Sequence, residues 1–155
     1  MKKFVVICDN IRSLHNVGSV FRTSDGAGID KIYLCGITGH PNVPKAERKI
    51  SKVALGAQKT MEWEYVSQAW RLVDKLKKNG WQIVSLEQTS KSISYTKFKP
   101  KFPLALIIGS ESKGVKKSLL NRSDRIIDIP MRGQKESLNV SVAFGIAAYW
   151  IGRFK

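Results

Sequence analysis

Cysteine and histidine are scarce in this chain, two of each, and that scarcity removes two chemistries at once. Cys8 and Cys35 lie in FVVIC and IYLC, apolar strand-like contexts where a thiol serves as a small buried hydrophobe. Neither a disulfide framework nor a zinc site is expected from them. Long hydrophobic runs are missing too: the longest, near the C-terminus, carries Asn139, Ser141 and Gly145 and falls short of the roughly 18 to 20 residues of a membrane span. Only FVVIC stands between the Lys2-Lys3 pair and Asp9, too little for the apolar core of a secretory leader. The expectation is a cytoplasmic protein with no membrane segment and no metal. Acidic residues are also few, 12 against 27 Lys and Arg, for a formal net charge of +15. Such a field is foreign to an ordinary small-molecule enzyme and favours polyanions through phosphate neutralisation and counterion release.

The bases are not gathered in a tail. They recur from Lys45 to Lys59, from Arg71 to Lys78, from Lys91 to Lys101 and from Lys113 to Lys135, threaded through what reads as folded sequence. Lys75, Lys77 and Lys78 in WRLVDKLKKNG read as cations solvating a helix face. A chain of 155 residues is most simply one domain, and no repeat, low-complexity tract or linker divides residues 1–155.

Strands and helices alternate along it. Lys3–Cys8, Lys31–Cys35, Met61–Val66, Trp81–Leu86, Leu104–Ile108 and Arg125–Ile129 read as strands, several apolar on both faces, which implies a mainly parallel sheet flanked by helices on both sides, an α/β fold. Helices are predicted over Asn16–Ala27 with Asn16 as cap, from a Ser67 cap to Asn79, over Val115–Leu120 and over Val140–Ile151. Thr38–Lys49 and Lys97–Pro103 read as surface loops. The last helix is apolar on every side, so it must be covered all round, and a second subunit is expected to supply part of that cover.

Three segments carry chemistry. In the last, IPMRGQKESLNVSVA from Ile129, a loop bearing Pro130 and Gly133 runs into a helix start that offers Ser137, Asn139 and Ser141. One cap would satisfy the free N–H groups there; the surplus points to a ligand. In the middle segment a buried strand ends at Gly109 and turns through Ser110-Glu111-Ser112-Lys113-Gly114, the place where α/β folds hold ligands. The loop fails as a triphosphate cradle because Val115 follows Gly114 where a lysine is required. It fails as a dinucleotide fingerprint because Glu111 occupies the position of the second glycine, where a carboxylate repels phosphate. A ligand without phosphate, or a cationic one such as S-adenosylmethionine, suits it better. In the first segment Arg22 lies on the helix that Asn16 opens, which reads as half-buried, where an unpaired guanidinium is costly; it calls for an anionic partner. His15, without a partner in sequence, is read as structural.

Asn16-x-Gly18-x-x-x-Arg22, Gly109-x-Glu111-x-x-Gly114 and Ile129-Pro130-Met131-x-Gly133-x-x-x-Ser137-Leu138-Asn139-Val140-Ser141-Val142-Ala143 together resemble the three motifs of the SpoU/TrmH family of SPOUT methyltransferases, in the family's order. The resemblance implies methylation of a ribose 2′-hydroxyl in tRNA or rRNA with S-adenosylmethionine as cofactor, a homodimer, and a trefoil-knotted C-terminal half. It gives Asn16, Arg22, Glu111, Ser137 and Asn139 to the catalytic centre. Leu86, Gly109, Gly114, Ile129, Met131 and Leu138 would line the cofactor pocket, Leu86 by its position at a strand end alone. With no added domain for substrate capture, RNA would be gripped by the Lys45–Lys59 and Lys113–Lys135 segments. Two other classes fit part of the pattern: a non-catalytic RNA-binding module, which explains the charge but needs neither the Gly109 loop nor the polar helix start, and a nucleotide-triphosphate enzyme, whose lysine register fails.

Overall fold

A computed structural model describes residues 2–155. The apolar runs become strands β1 (Phe4–Asp9), β2 (Lys31–Cys35), β3 (Trp63–Val66), β4 (Gln82–Leu86), β5 (Ile93–Ser94), β6 (Leu104–Ile108) and β7 (Arg125–Asp128). They form one parallel sheet in the order β3-β2-β1-β6-β4-β7-β5. Every residue of β1 and of β6 is buried, which is why those two segments show no alternation of apolar and polar residues. Helices α1 (Leu14–Ala27), α2 (Pro44–Ala54), α3 (Ala57–Thr60), α4 (Ala69–Lys78), α5 (Lys117–Leu120) and α6 (Val140–Gly152) connect and cover the strands.

Successive strand residues point to opposite faces, and the core divides accordingly. Phe4, Val6, Cys8, Leu104, Leu106 and Ile108 pack with α1, α2 and α6, while Val5, Ile7, Ile83, Ala105 and Ile107 pack with α4 and α5. Pairing of Cys8 with Ile108 and of Leu86 with Ile127 brings the C-terminal ends of β1, β6, β4 and β7 to one edge. In a parallel sheet, ligands bind in the crevice beyond that edge.

Several boundaries differ from the sequence reading, each for a local reason. Helix α1 begins at Leu14 because Ser13 is its cap, the Ser13 Oγ accepting from the Asn16 N–H at 3.2 Å; Asn16 is therefore inside the helix and buried, with its amide free for another role. Gly18 is required by packing: a Cβ there would meet the Ile50 carbonyl oxygen at 2.7 Å, so α1 and α2 cross too closely for a side chain. Helix α2 occupies part of the expected Thr38–Lys49 loop. Its start is set by Pro44, whose fixed φ suits a first helical turn, and its buried stripe Ala46, Ile50 and Ala54 is thin among exposed cations. Helix α4 is entered at Gln68 with no side-chain cap, so Ser67 does not cap it. Strand β5 and a 3₁₀ turn over Tyr95–Lys97 precede the Lys97–Pro103 stretch. Ser137 stands in the loop outside α6, whose cap is Asn139. Within the described chain α6 buries Phe144, Ala147, Ala148 and Ile151 but leaves Val142 51% and Tyr149 58% exposed. Among the described residues no helix is long and apolar enough to cross a membrane.

Candidate active site

The loop after β1 is tied down before α1 begins. Thr38 Oγ1 accepts from the Ile11 N–H at 3.0 Å and donates to the Cys8 carbonyl at 3.1 Å, holding Ile11 in the core and turning the chain over the edge of the sheet. Across that edge lies Glu111, in the loop after β6. Its carboxylate accepts from the N–H of Arg12 at 2.9 and 3.1 Å, from that of Ser13 at 3.1 Å and from Asn16 Nδ2 at 3.1 Å. Burial raises the Glu111 carboxyl, but the N–H groups of Arg12, Ser13 and Glu111 itself, with the Asn16 amide, outweigh it and hold the group below its ordinary value. Hydrogen bonds to the charged form favour that form, so Glu111 works as an ionised clasp on the start of α1.

The other end of the Asn16 amide reaches the third segment. Asn16 Oδ1 accepts from Asn139 Nδ2 at 3.2 Å, and Asn139 Oδ1 accepts from the Ser141 N–H at 2.9 Å, the Ser141 hydroxyl at 2.6 Å and the Val142 N–H at 3.3 Å. One chain of hydrogen bonds thus runs from the β6 loop through α1 to the cap of α6. The surplus polarity noted in the sequence is used here: Asn139 spends its oxygen on the helix and its nitrogen on Asn16.

Beside this network opens a cavity of about 370 Å³ between the ends of β4, β6 and β7, within the range of small-molecule sites. Leu86, Gly109, Gly114, Ile129, Met131 and Leu138 all line it, as do Glu111, Ser137 and Asn139. Gly109 has no room for a side chain: a Cβ would lie 2.4 Å from the Gly114 carbonyl and the Val115 nitrogen, so the loop folds back on its own backbone. Asn16 is one hydrogen bond away from the lining.

Arg22 is the residue that does not join this cluster. It is exposed on α1, outside the cavity lining, and makes no salt bridge among the described residues. The half-buried setting expected for it is corrected, since the side chain is exposed. His15 is likewise exposed.

Two carboxylates of the cavity were missed in the sequence. Glu87 follows the end of β4 and Asp128 ends β7; the signal available was their position as polar residues at strand ends. Burial raises the Glu87 carboxyl, partly countered by the Val115 N–H, and Asp128 Oδ2 accepts from Ser92 Oγ at 2.5 Å. With Glu111, three carboxylates face the cavity and one cation, Lys113, joins them. Below the edge, burial pushes the Cys8 thiol well up and the Cys35 thiol up to about 12; both are free and buried, as their apolar contexts implied. Burial likewise raises the Asp9 carboxyl, opposed by Lys116. Among the described residues no three His, Cys, Asp or Glu side chains group as a metal cage.

Comparison with known proteins finds likeness over nearly the whole chain. The model of the SpoU rRNA methylase family matches residues 3–149. The tRNA (guanosine(18)-2′-O)-methyltransferase of Aquifex aeolicus (strain VF5) is 32% identical over 152 residues, covering 96% of this chain and 68% of that protein. A putative TrmH family tRNA/rRNA methyltransferase of Staphylococcus haemolyticus (strain JCSC1435) is 30% identical over 154 residues, and there the chain spans only 58% of the relative's length. Among solved structures, the A. aeolicus TrmH/SpoU tRNA modifying enzyme superposes with a TM-score of 0.86 at 29% identity, over 99% of this chain and 75% of that one. The SpoU methyltransferase AviRb from Streptomyces viridochromogenes, in complex with AdoMet, has the same fold at a TM-score of 0.86 and 22% identity, over 99% and 61% of the two chains. With the three motifs joined by hydrogen bonds beside one cavity and a family match over nearly the whole sequence, the chain belongs to the SpoU rRNA methylase family.

Proposed function

We propose that this chain is an S-adenosylmethionine-dependent RNA methyltransferase acting on a ribose 2′-hydroxyl of tRNA or rRNA. The observation that carries the reading is the hydrogen-bond chain Glu111–Asn16–Asn139, which joins all three motifs beside one cavity. The cavity suits the cofactor by volume and by charge: three carboxylates against one lysine disfavour a triphosphate and favour a ligand carrying a sulfonium. Relatives named as a tRNA (guanosine(18)-2′-O)-methyltransferase and a putative TrmH family tRNA/rRNA methyltransferase and a net charge of +15 support RNA as the acceptor.

In this reading Leu86, Gly109, Gly114, Ile129, Met131 and Leu138 hold the cofactor, by apolar contact and by backbone groups at the strand ends. The bound cofactor supplies a methyl group activated for direct displacement. The chain supplies alignment: Glu111 and Asn139 fix the loops on either side of the cavity through Asn16, so that acceptor and donor meet in a reactive geometry. Ser137 stands on the cavity wall as a further polar contact. Arg22 stabilises the oxyanion that forms as the hydroxyl loses its proton. Its guanidinium stays charged and is a poor base at neutral pH, so an RNA phosphate is assigned the proton.

The exposed apolar surface supports a homodimer. Val142 and Tyr149 on α6 and Leu138 at the cavity mouth are exposed, and a second copy covering them would bring added walls to an open site. Residues 1–155 act as one catalytic domain in the cytoplasm, gripping RNA with the Lys45–Lys59 and Lys113–Lys135 segments.

The test is titration calorimetry with S-adenosylmethionine and with ATP, followed by incubation of total RNA from a deletion strain with methyl-labelled cofactor. Cofactor binding and label on a ribose oxygen are expected. Binding of ATP alone, or of neither ligand, would overturn the reading.

A further inference from the structure

Cations exceed carboxylates over the whole chain, but the excess is uneven. At the β2–β3 edge Lys31 is matched by Glu62 and Glu64 at 3.4 and 2.9 Å. Around α4 and α5 the balance is reversed. Arg71, Lys75 and Lys78 stand four and then three residues apart on α4, which sets them in a single line. All three are exposed, and none has a salt-bridge partner among the described residues. A groove runs between α4 and the end of α5, lined by Asp74, Lys75, Lys77, Lys78, Asn121 and Arg122.

The guanidinium at the head of this groove is built in. Arg122 Nε donates to Asp74 Oδ1 at 2.8 Å and Nη1 to the Ser118 carbonyl at 2.9 Å, while Lys77 Nζ donates to the Arg122 carbonyl at 2.8 Å. Trp70, 39% exposed, has the guanidinium carbons of Arg71 and Arg122 at 5.2 and 5.3 Å from its ring centre. The Trp70 ring thus carries a guanidinium contact from each of two arginines, and Asp74 fixes that of Arg122. Helix solvation explains isolated lysines; it does not explain a pair of like charges organised around an exposed indole. Lys113 lines the cavity, and exposed Lys116 and Lys117 follow it in sequence into α5.

We propose that the α4–α5 groove is an RNA-docking site that takes the phosphodiester backbone of the substrate away from the nucleotide being methylated. The inference rests on RNA being the substrate. Arg71, Lys75 and Lys78 neutralise successive phosphates, and Arg122, fixed against the Trp70 ring, adds a further guanidinium to the same path. The lysines read in sequence as solvating a helix face belong, in this reading, to the substrate path.

The test compares full-length protein with the triple variant Arg71→Gln, Lys75→Gln, Lys78→Gln and with an equally discharged control, Lys97→Gln, Lys99→Gln, Lys101→Gln. Bulk RNA from a deletion strain is the probe, in filter binding across a salt series. The groove variant is expected to bind RNA about tenfold more weakly, with a log–log salt slope shallower by roughly 2, at unchanged affinity for S-adenosylmethionine and unchanged kcat at saturating RNA. An equal loss in the control, or no loss in the groove variant, overturns the proposal, the latter leaving the groove to another partner. Acetylation of the unmodified protein gives a second measurement that needs no variant: RNA is expected to protect Lys75 and Lys78, and equal labelling with and without RNA would refute the site. Failure of the cofactor to bind, with RNA protection intact, would sink the methyl-transfer reading and leave the groove standing.

Discussion

The amide of Asn16 lies between Glu111 and Asn139, donating to the Glu111 carboxylate at 3.1 Å through Nδ2 and accepting from Asn139 at 3.2 Å through Oδ1. Asparagine is suited to this because one planar group carries both a donor and an acceptor. A carboxylate at position 16 would face Glu111 with like charge, and an apolar residue would leave two partners unsatisfied.

Glu111→Gln tests the clasp. The Gln amide offers one acceptor oxygen in place of two and no charge, so an exposure-discounted loss on the order of 1 kcal/mol is expected. The sign with pH is fixed by the direction of the shift. A carboxyl held below its ordinary value contributes stability that is complete above its unfolded pKa of about 4.3 and is lost as pH falls through the lower folded value. Thermal melts of the two proteins should therefore differ most near neutral pH and converge below about pH 4. A gap that widens on acidification would show that the charge is not the stabilising element.

Asn139 has two separable functions. Asn139→Ala removes both the α6 cap and the bond to Asn16, with an expected cost of about 1 to 2 kcal/mol. Asn139→Ser keeps an oxygen for the cap but has no amide to give Asn16. Melting temperature is expected to recover in the serine variant while methyl transfer stays impaired; full recovery of both would reduce Asn139 to a cap.

Arg22→Ala should leave the fold intact, because the side chain is exposed and has no salt-bridge partner among the described residues; a stability change within about 0.5 kcal/mol is expected. Transfer should fall by at least about a hundredfold if the guanidinium stabilises the developing oxyanion, with cofactor affinity by calorimetry unchanged. Near-normal turnover would remove Arg22 from the catalytic centre.

Gly109→Ala and Gly133→Ala form a contrasting pair. At Gly109 the new methyl would meet backbone atoms 2.4 Å away, whereas at Gly133 nothing lies within 4 Å. Overpacking against a backbone costs about 1 to 3 kcal/mol or displaces the loop, so the first variant should lose cofactor binding and the second keep it. Calorimetry on both proteins decides the matter, and equal binding would contradict the folded-back loop.

Much of this molecule is legible in its sequence. Leu104–Ile108 is a strand by sequence and by structure to the residue, because an all-apolar run of that length has few other fates in a parallel sheet. The glycine-bracketed loop after it lines the cavity, as its place at the end of a buried strand implies. Helix α2 is not legible in this way, because its apolar stripe of three residues is hidden among cations. The cap of α1 was misplaced because Ser13 and Asn16 are both good caps and only backbone geometry chooses between them.

What the sequence by itself determined is the kind of sheet, the sign of the partner and the three polar segments, since each follows from local composition and period. The tertiary structure alone decided that those segments meet. Glu111 and Asn16 are 95 positions apart and Asn16 and Asn139 are 123 apart, and no local pattern encodes such a contact. The register of β1 against β6 and of β4 against β7 sets it, bringing strand ends level so that groups distant in the chain come within hydrogen-bond reach. The same register carries Glu87 and Asp128 into the cavity, while Arg22, further along α1, is left outside its walls.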